Sequence, residues 1–323
     1  MTTLVTGASG FIGGYVMRKL AKAGEPVRGF DLREPTDHPP DAEFVQGDIL
    51  EPDQIAAAMD GVIHVIHAAA IAALWSPGRF DYDRVNVVGT ARVLAAARRV
   101  RASTTLVSSY TTLVADSVEH DALLDENVEL VPNRLLGRYP RSKRQAELVA
   151  IAAAEAGQKV NIVLPTAPVG PGDFNMTPPT VMIRDLARRK LPALLDCRLN
   201  LVDVDAVASA IIATRNVSGS GERYLLSGED ISMPDLAERI SALTGVRAPK
   251  ARVPGWLALG TARIEAGLAR LIKRAPTAPL TGVRLAVRPC RFSNAKARAE
   301  LGFAPRPLAD TLVEALEWIA DHG

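Results

Sequence analysis

Tyr139 and Lys143 stand four residues apart at the start of a predicted helix, so they share one helical face. Pro140 suits the first helical position. A tyrosine, with a reference pKa of about 10, is a poor base at neutral pH. An ammonium beside it and the positive end of the helix dipole both stabilise its phenolate. The pair can then exchange a proton with a substrate hydroxyl or carbonyl. Ser109 offers a third member, because it closes a predicted strand in Leu106-Val107-Ser108-Ser109-Tyr110-Thr111. A hydroxyl there can bond the reacting oxygen and stabilise charge developing on it. Strand ends are hard to fix from sequence, so Ser108 or Thr111 can share that task. Ser109, Tyr110 and Thr111 are the expected substrate contacts. The plainer alternatives are a chance Tyr-x-x-x-Lys spacing and a serine that only caps a turn.

The second chemical signal is Val5-Thr6-Gly7-Ala8-Ser9-Gly10-Phe11-Ile12-Gly13, directly after the first predicted strand and opening the first helix. A glycine turn there lets the backbone approach a pyrophosphate, and the helix N-terminus aims free N–H groups and a positive dipole at it. Gly7, Ser9, Gly10, Phe11, Ile12 and Gly13 are therefore expected to bind a dinucleotide, with GxxGxxG spacing in place of the general GxGxxG. Asp31 follows the second strand, 18 residues after Gly13. A carboxylate there accepts hydrogen bonds from the adenosine ribose 2′-OH and repels a 2′-phosphate. NAD is thus expected over NADP, although Arg33 lies close enough to swing towards a phosphate. Asp48 and Ile49, after the third strand, are placed near the adenine edge. The small residues Ala68, Ala69 and Ala70 leave room beside the fourth strand, and Pro165 is a further expected cofactor contact. An oxidised nicotinamide near Tyr139 would also favour its phenolate.

The elements that must hold these groups are legible in the alternation of short β-branched runs with alanine-rich stretches. Strands are predicted at Thr3 to Thr6, Pro26 to Phe30, Glu43 to Gln46, Val62 to His67, Thr104 to Ser108 and Val160 to Leu164. Helices lie near Phe11 to Ala23, Pro52 to Met59, Asp83 to Val100 and Pro140 to Ala156. This pattern implies βαβ units and an α/β fold, a doubly wound parallel (Rossmann) sheet with a smaller C-terminal substrate-binding lobe. The texture from Pro165 to Asp173 reads as a loop leaving the sheet. Residues 1–166 then form the dinucleotide-binding domain and 167–323 mainly the lobe, some of whose segments return to the first domain. Later elements are a strand at Arg223 to Leu226 and helices near Met233 to Thr244 and Ala309 to Asp321.

The chain's 323 residues, 48% of them hydrophobic and 23% charged, are those of a folded protein of about two domains. With 38 basic and 36 acidic side chains the net charge is +2, which argues against a dedicated nucleic-acid binder. The charge is uneven: between Lys250 and Arg298 eleven basic residues meet one acid, Glu265. That stretch suits a phosphorylated substrate or an acidic membrane surface, or is a solvated basic face. On a helical wheel Pro254 to Arg274 is amphipathic, with Leu257, Ile264, Leu268 and Leu271 opposed to Arg263, Arg270, Lys273 and Arg274. A surface helix packing its apolar side on the core is expected first, and one lining a pocket or resting on a membrane second.

Cys197 and Cys290 form no CxxC pair, so neither a disulfide framework nor a zinc signature appears, and a reducing cytoplasm is the expected compartment. The N-terminus lacks a secretory signal. The longest apolar run, Gly61 to Trp75, is broken by His64 and His67 and falls short of the roughly 20 residues of a spanning helix. Odd spacing sends those histidines to opposite faces of a strand, and no metal is expected. Asp203 and Asp205 share strand parity and are assigned a structural role.

Gly7-Ala8-Ser9-Gly10-Phe11-Ile12-Gly13, Asp31, Asp48, His67-Ala68-Ala69-Ala70, Asn86-Val87-Val88-Gly89-Thr90, Ser109 and Tyr139-Pro140-Arg141-Ser142-Lys143 together resemble the extended short-chain dehydrogenases/reductases, in their NAD-dependent epimerase/dehydratase branch. The nearest flavour is that of dihydroflavonol reductases, 3β-hydroxysteroid dehydrogenases and hopanoid-associated sugar epimerases. The resemblance implies a catalytic triad of Ser109, Tyr139 and Lys143, with Lys143 also holding the nicotinamide ribose. It implies a homodimer and hydride transfer between nicotinamide and a secondary alcohol or ketone of a lipophilic or polycyclic small molecule. The alternatives are a nucleotide-sugar epimerase or dehydratase with tightly bound NAD and, further off, a non-catalytic NAD-binding protein. Such relatives commonly carry His-Val-Asp-Asp where this chain has Asp203-Val204-Asp205-Ala206, which leaves the role of Asp203 open.

Overall fold

In the computed structural model, which describes residues 1–75, 81–272, 276 and 278–323, the first half alternates strands and helices. β1 (Thr2–Thr6) enters α1 (Phe11–Lys22) through the glycine turn. β2 (Val27–Asp31), β3 (Glu43–Gln46), α2 (Pro52–Ala58), β4 (Val62–His67), α3 (Thr90–Arg99) and β5 (Ser103–Val107) follow. Next come β6 (Leu123–Leu124), α4 (Arg138–Glu155), β7 (Val160–Pro165), β8 (Ala167–Val169), α5 (Pro178–Ala187), β9 (Leu194–Leu195), β10 (Arg198–Asp203) and α6 (Val204–Ala213). The chain ends with β11 (Arg223–Leu226), β12 (Glu229–Ser232), α7 (Met233–Thr244), β13 (Arg252–Val253), α8 (Gly255–Ile272), α9 (Leu280–Ala286), β14 (Arg291–Phe292), α10 (Ala295–Leu301) and α11 (Leu308–His322).

Seven parallel strands form the central sheet in the order β11-β7-β5-β4-β1-β2-β3. Crossover helices cover both faces, so inner strands are apolar on both sides, and β7 is buried along its length. The chain runs outward from β1 to one edge and from β4 to the other. The reversal opens a crevice at the carboxyl ends of the strands. Register brings the functional segments to it: Thr6 pairs with His67 and His67 with Leu106, so the Gly7 turn, Ala68 and Ser109 emerge at one end of the sheet. β11, from the second half, adds the seventh strand by pairing with β7.

The predicted helix from Asp83 to Val100 begins instead with a π-helical turn at Asp83–Gly89. Gly89 has room only for hydrogen there, since a Cβ would lie 2.5 Å from Ile49 Cδ1. The second lobe places the three-stranded sheet β12-β10-β8 against α5, α7 and α11, around Val169, Ile183, Leu201, Leu236 and Leu312. Asp203 fastens this lobe. It caps α6 by accepting the Ala206 N–H at 2.8 Å and accepts from Arg306 at 2.8 Å and Thr311 Oγ1 at 3.1 Å. Asp205 points elsewhere, to Lys19 of α1 at 2.7 Å.

Helix α8 corrects the expectation that its apolar side packs on the core. Trp256, Leu257, Ile264 and Leu268 are 74%, 42%, 69% and 55% exposed, whereas Ala262 and Ala269 are 2% and 3% exposed. Helix α8 packs on α9 with its small alanines buried and its large apolar residues left outward. Lys273 and Arg274, and the side chains of Arg270 and Leu271, which share the same wheel, lie outside the described residues. Among the described residues no helix is long and apolar enough to cross a membrane.

Candidate active site

Gly7 adopts a left-handed φ of +74°, and a Cβ there would lie 2.5 Å from Ala69 N. On Gly13 it would lie 2.1 Å from Gly7 O. The first glycine permits the turn and the third lets α1 start against it. No side chain caps α1 and no acid occupies its first turn, so its N-terminal dipole meets an anion without a competing carboxylate. Asp31 ends β2, with Oδ2 accepting the Ser9 N–H at 2.9 Å and Oδ1 the Leu32 N–H at 2.7 Å. Each oxygen keeps acceptor capacity for a ribose hydroxyl. Arg33, the candidate partner of a 2′-phosphate, donates instead to Asn175 Oδ1 at 2.6 Å, and Asn175 Nδ2 donates to Ser9 O at 3.3 Å. This donor and acceptor set fits NAD. Of the remaining expected contacts, Asp48 accepts the Leu50 N–H at 2.8 Å, Ile49 is buried against Gly89, Ala68 donates its N–H to Thr6 O at 3.0 Å, and Pro165 is buried at the end of β7.

Lys143 and Tyr139 ride on the first turns of α4. Lys143 is buried, and its Nζ donates to Val107 O at the end of β5, 2.7 Å away. Ser109 caps a short 3-10 turn at Tyr110–Leu113. Its Oγ accepts from the Thr111 N–H at 3.3 Å and from Thr111 Oγ1 at 3.0 Å, which leaves its own proton uncommitted, and Ser109 lies near enough to the Tyr139 phenol to favour its ionisation. Ser108, of opposite strand parity, turns to the Glu147 carboxylate. Thr111 is buried behind Ser109, and the Tyr110 ring packs edge-on against Phe292 at 5.2 Å. Of the hydroxyls that could serve, Ser109 is the one that bears on the acidity of the phenol.

Burial pushes the Tyr139 phenol above its ordinary value, and the nearby Ser109 opposes this. Burial also pushes the Lys143 ammonium down to about 8, against the pull of Glu147. At neutral pH Tyr139 is a protonated acid, with Lys143 turned to the β5 backbone.

Two supporting residues escaped the sequence reading of the site. Asn86, buried in the π-helical turn, accepts the Ile71 N–H at 2.8 Å and donates to Ser142 Oγ at 2.9 Å. Ser142 in turn donates to Tyr139 O at 2.9 Å. Asn86 so ties the loop after β4 to the start of α4. Glu147, 0% exposed, accepts from Ser108, from Thr112 Oγ1 at 2.8 Å, from Arg144 at 2.9 Å and from Arg223 at 3.1 Å. Its signal was position, four residues beyond Lys143 on the same helical stripe.

The histidines are structural. His67 lies between Thr6 Oγ1 at 2.7 Å and Thr90 Oγ1 at 3.0 Å. Thr90 gives its own proton to Asn86 O at 2.6 Å, so His67 Nε2 donates to Thr90 and Nδ1 accepts from Thr6. His64 bonds Ser103 and Thr105. Burial pushes both down to about 3, so they are neutral in the fold and gain protons on unfolding below their ordinary value of about 6.5. Their contribution is complete above that value and is lost as pH falls towards 3, at about 1.4 kcal/mol per unit per ring. Urea unfolding is expected to give about 2–3 kcal/mol less stability from this source at pH 5.5 than at pH 7.5, with the imidazole NMR signals of the folded protein remaining those of neutral rings. Rings that titrate near 6.5 in the fold would refute this assignment.

A model of the NAD dependent epimerase/dehydratase family matches residues 3–226. A Synechocystis sp. protein bearing a provisional dihydroflavonol 4-reductase name is 33% identical over 329 residues, covering 99% of this chain and 94% of its own length. Sterol demethylase protein B of Methylococcus capsulatus is 30% identical over 328 residues, covering 100% and 99%. The crystal structure of gox2253 is 33% identical and superposes with a TM-score of 0.85 over 100% of this chain and 98% of that one. Similarity over nearly the whole length, together with the Rossmann crevice and its glycine turn, establishes that the chain belongs to the NAD dependent epimerase/dehydratase family of extended short-chain dehydrogenases/reductases, and is an NAD-dependent oxidoreductase.

Proposed function

We propose that the protein interconverts a secondary alcohol and a ketone on a lipophilic or polycyclic small molecule, with Ser109, Tyr139 and Lys143 as its catalytic residues. The observation that carries this reading is the gathering of the three side chains at the carboxyl end of the sheet, with Lys143 Nζ on Val107 O at 2.7 Å and the Tyr139 phenol within the influence of Ser109. NAD, when bound, supplies the hydride acceptor or, reduced, the donor. Ser109 Oγ and the Tyr139 hydroxyl converge on the reacting oxygen, Ser109 to orient it and Tyr139 to give or take its proton. Lys143, anchored on Val107 O, places a positive charge beneath them. Protonated Tyr139 suits ketone reduction at neutral pH, and alcohol oxidation should be favoured at higher pH.

The substrate class is supported by the sterol and dihydroflavonol names of the relatives and by the segment near Tyr139. There Gly282 of α9 packs on Leu74, and Thr281 on Gly137. Arg284 and Arg288, which could clamp a diphosphate, are paired with Asp116 at 2.5 and 3.0 Å. The family name also covers nucleotide-sugar epimerases and dehydratases, and retained cofactor separates the two readings. Purified enzyme should exchange NAD freely and turn over sterol-like ketones or alcohols. Stoichiometric NAD that survives purification, with binding of nucleotide sugars and no sterol turnover, would overturn the proposal. A cytoplasmic homodimer belongs to the same reading, and the groove lined by Ala91, Leu94, Ala95, Val149 and Ala153 of α3 and α4 offers it an apolar face.

A further inference from the structure

We propose that the outward face of α8 docks the protein on an anionic lipid bilayer. Trp256, Leu257, Ile264 and Leu268 form one exposed apolar stripe on an 18-residue helix, a length of about 27 Å. Large apolar side chains gathered on one solvent face of a helix mark a surface that is covered in use. The charges around the stripe name the cover. Arg247, Lys250 and Arg252 lead into α8, and Arg263 borders the stripe, all of them exposed. The one acid of the segment, Glu265, lies at the other border of the stripe and accepts the Ala278 N–H, so the exposed cations outnumber it.

Apolar residues bordered by cations match the acyl boundary and phosphate layer of an anionic leaflet. A second copy seated here would set one basic rim against another, and nucleic acid offers no apolar medium for the stripe. The absence of a spanning helix among the described residues makes this a helix lying on the surface. Its position has a consequence for the substrate. α8 rests on α9, whose Thr281 and Gly282 touch Gly137 and Leu74 beside Tyr139. A docked α8 therefore sets the cleft close to the lipid, where a lipophilic substrate is dissolved. That consequence rests on the proposed substrate class, whereas the docking does not.

Flotation of the full chain with phosphatidylcholine vesicles, with and without phosphatidylglycerol, tests the docking. Binding should be at least about tenfold greater with phosphatidylglycerol and weaken in about 1 M salt, where screening is short-ranged. The Ile264→Glu/Leu268→Glu variant should float at least about tenfold less with an unchanged melting temperature. Trp256→Phe should still float but lose the blue shift of tryptophan emission on vesicles. Tyr139→Phe should float like wild type, so a failed chemistry and a failed docking read out separately. Wild-type protein left unfloated by anionic vesicles, or an Ile264→Glu/Leu268→Glu variant that floats equally well, would overturn the proposal. So would a variant that changes only the sedimenting mass, since the stripe would then be a protein interface.

Discussion

Tyr139→Phe is expected to lower turnover by about 10²–10⁴-fold while NAD binds with near-wild-type affinity. The substitution removes one hydroxyl and keeps the ring. The Lys143 bond to Val107 O and the glycine turn against Ala69 do not involve that hydroxyl, so the cofactor site stays formed. What disappears is the proton donor for ketone reduction. The Ser109 hydroxyl can still bond the substrate oxygen, and orientation alone sustains some rate, which is why the loss is bounded. Calorimetric titration with NAD and steady-state assay of the same preparation measure the two halves. Turnover within a few-fold of wild type would remove Tyr139 from the chemistry, and lost NAD binding would make its role structural.

Glu147→Ala is expected to reduce unfolding free energy by about 3–5 kcal/mol, a fall in melting temperature of roughly 4–7 °C in a chain of this size. The carboxylate is 0% exposed and is the shared acceptor of two buried guanidinium groups, Arg144 and Arg223, and of two hydroxyls, Ser108 and Thr112. Alanine leaves both cations buried beside one another without a counterion. Glu147→Gln keeps the shape and the hydroxyl contacts but not the charge, and should fall between. Because Ser108 and Thr112 flank Ser109, the loss should also loosen the end of β5 and lower the turnover of the folded fraction. A melting temperature of the alanine variant close to wild type would mean that the cluster relaxes to water at little cost.

Much of the site was legible in the sequence because it depends on local spacing. The Gly7, Gly10 and Gly13 turn needs only the strand before it and the helix after it, and Asp31 needs only the end of the next strand. Tyr139 and Lys143 need one helix, and the six predicted strands all appear in the central sheet. Asn86 and Glu147 were not legible as supports because their partners, Ile71, Ser142, Ser108 and Arg223, are distant in sequence and meet them only after the crossovers have formed. The π-helical turn at Asp83–Gly89 was likewise not legible, because no helical periodicity encodes it.

The basic and apolar character of residues 250–298 was plain in the sequence, but its orientation was not. A wheel gives the two faces of a helix and cannot say which face a neighbour will accept. In α8 the alanines are buried and the large residues are left outside. Ser108 and Ser109 are separated in the same way, by the neighbour each hydroxyl meets, Glu147 for one and Thr111 for the other. The sequence by itself determined the fold class, the cofactor turn and the spacing of Tyr139 and Lys143, since these follow from short-range geometry and chain stereochemistry. Tertiary structure alone decided which serine hydroxyl turns to Glu147, which charges are paired and which helix face is open, because those depend on packing between segments far apart in the chain.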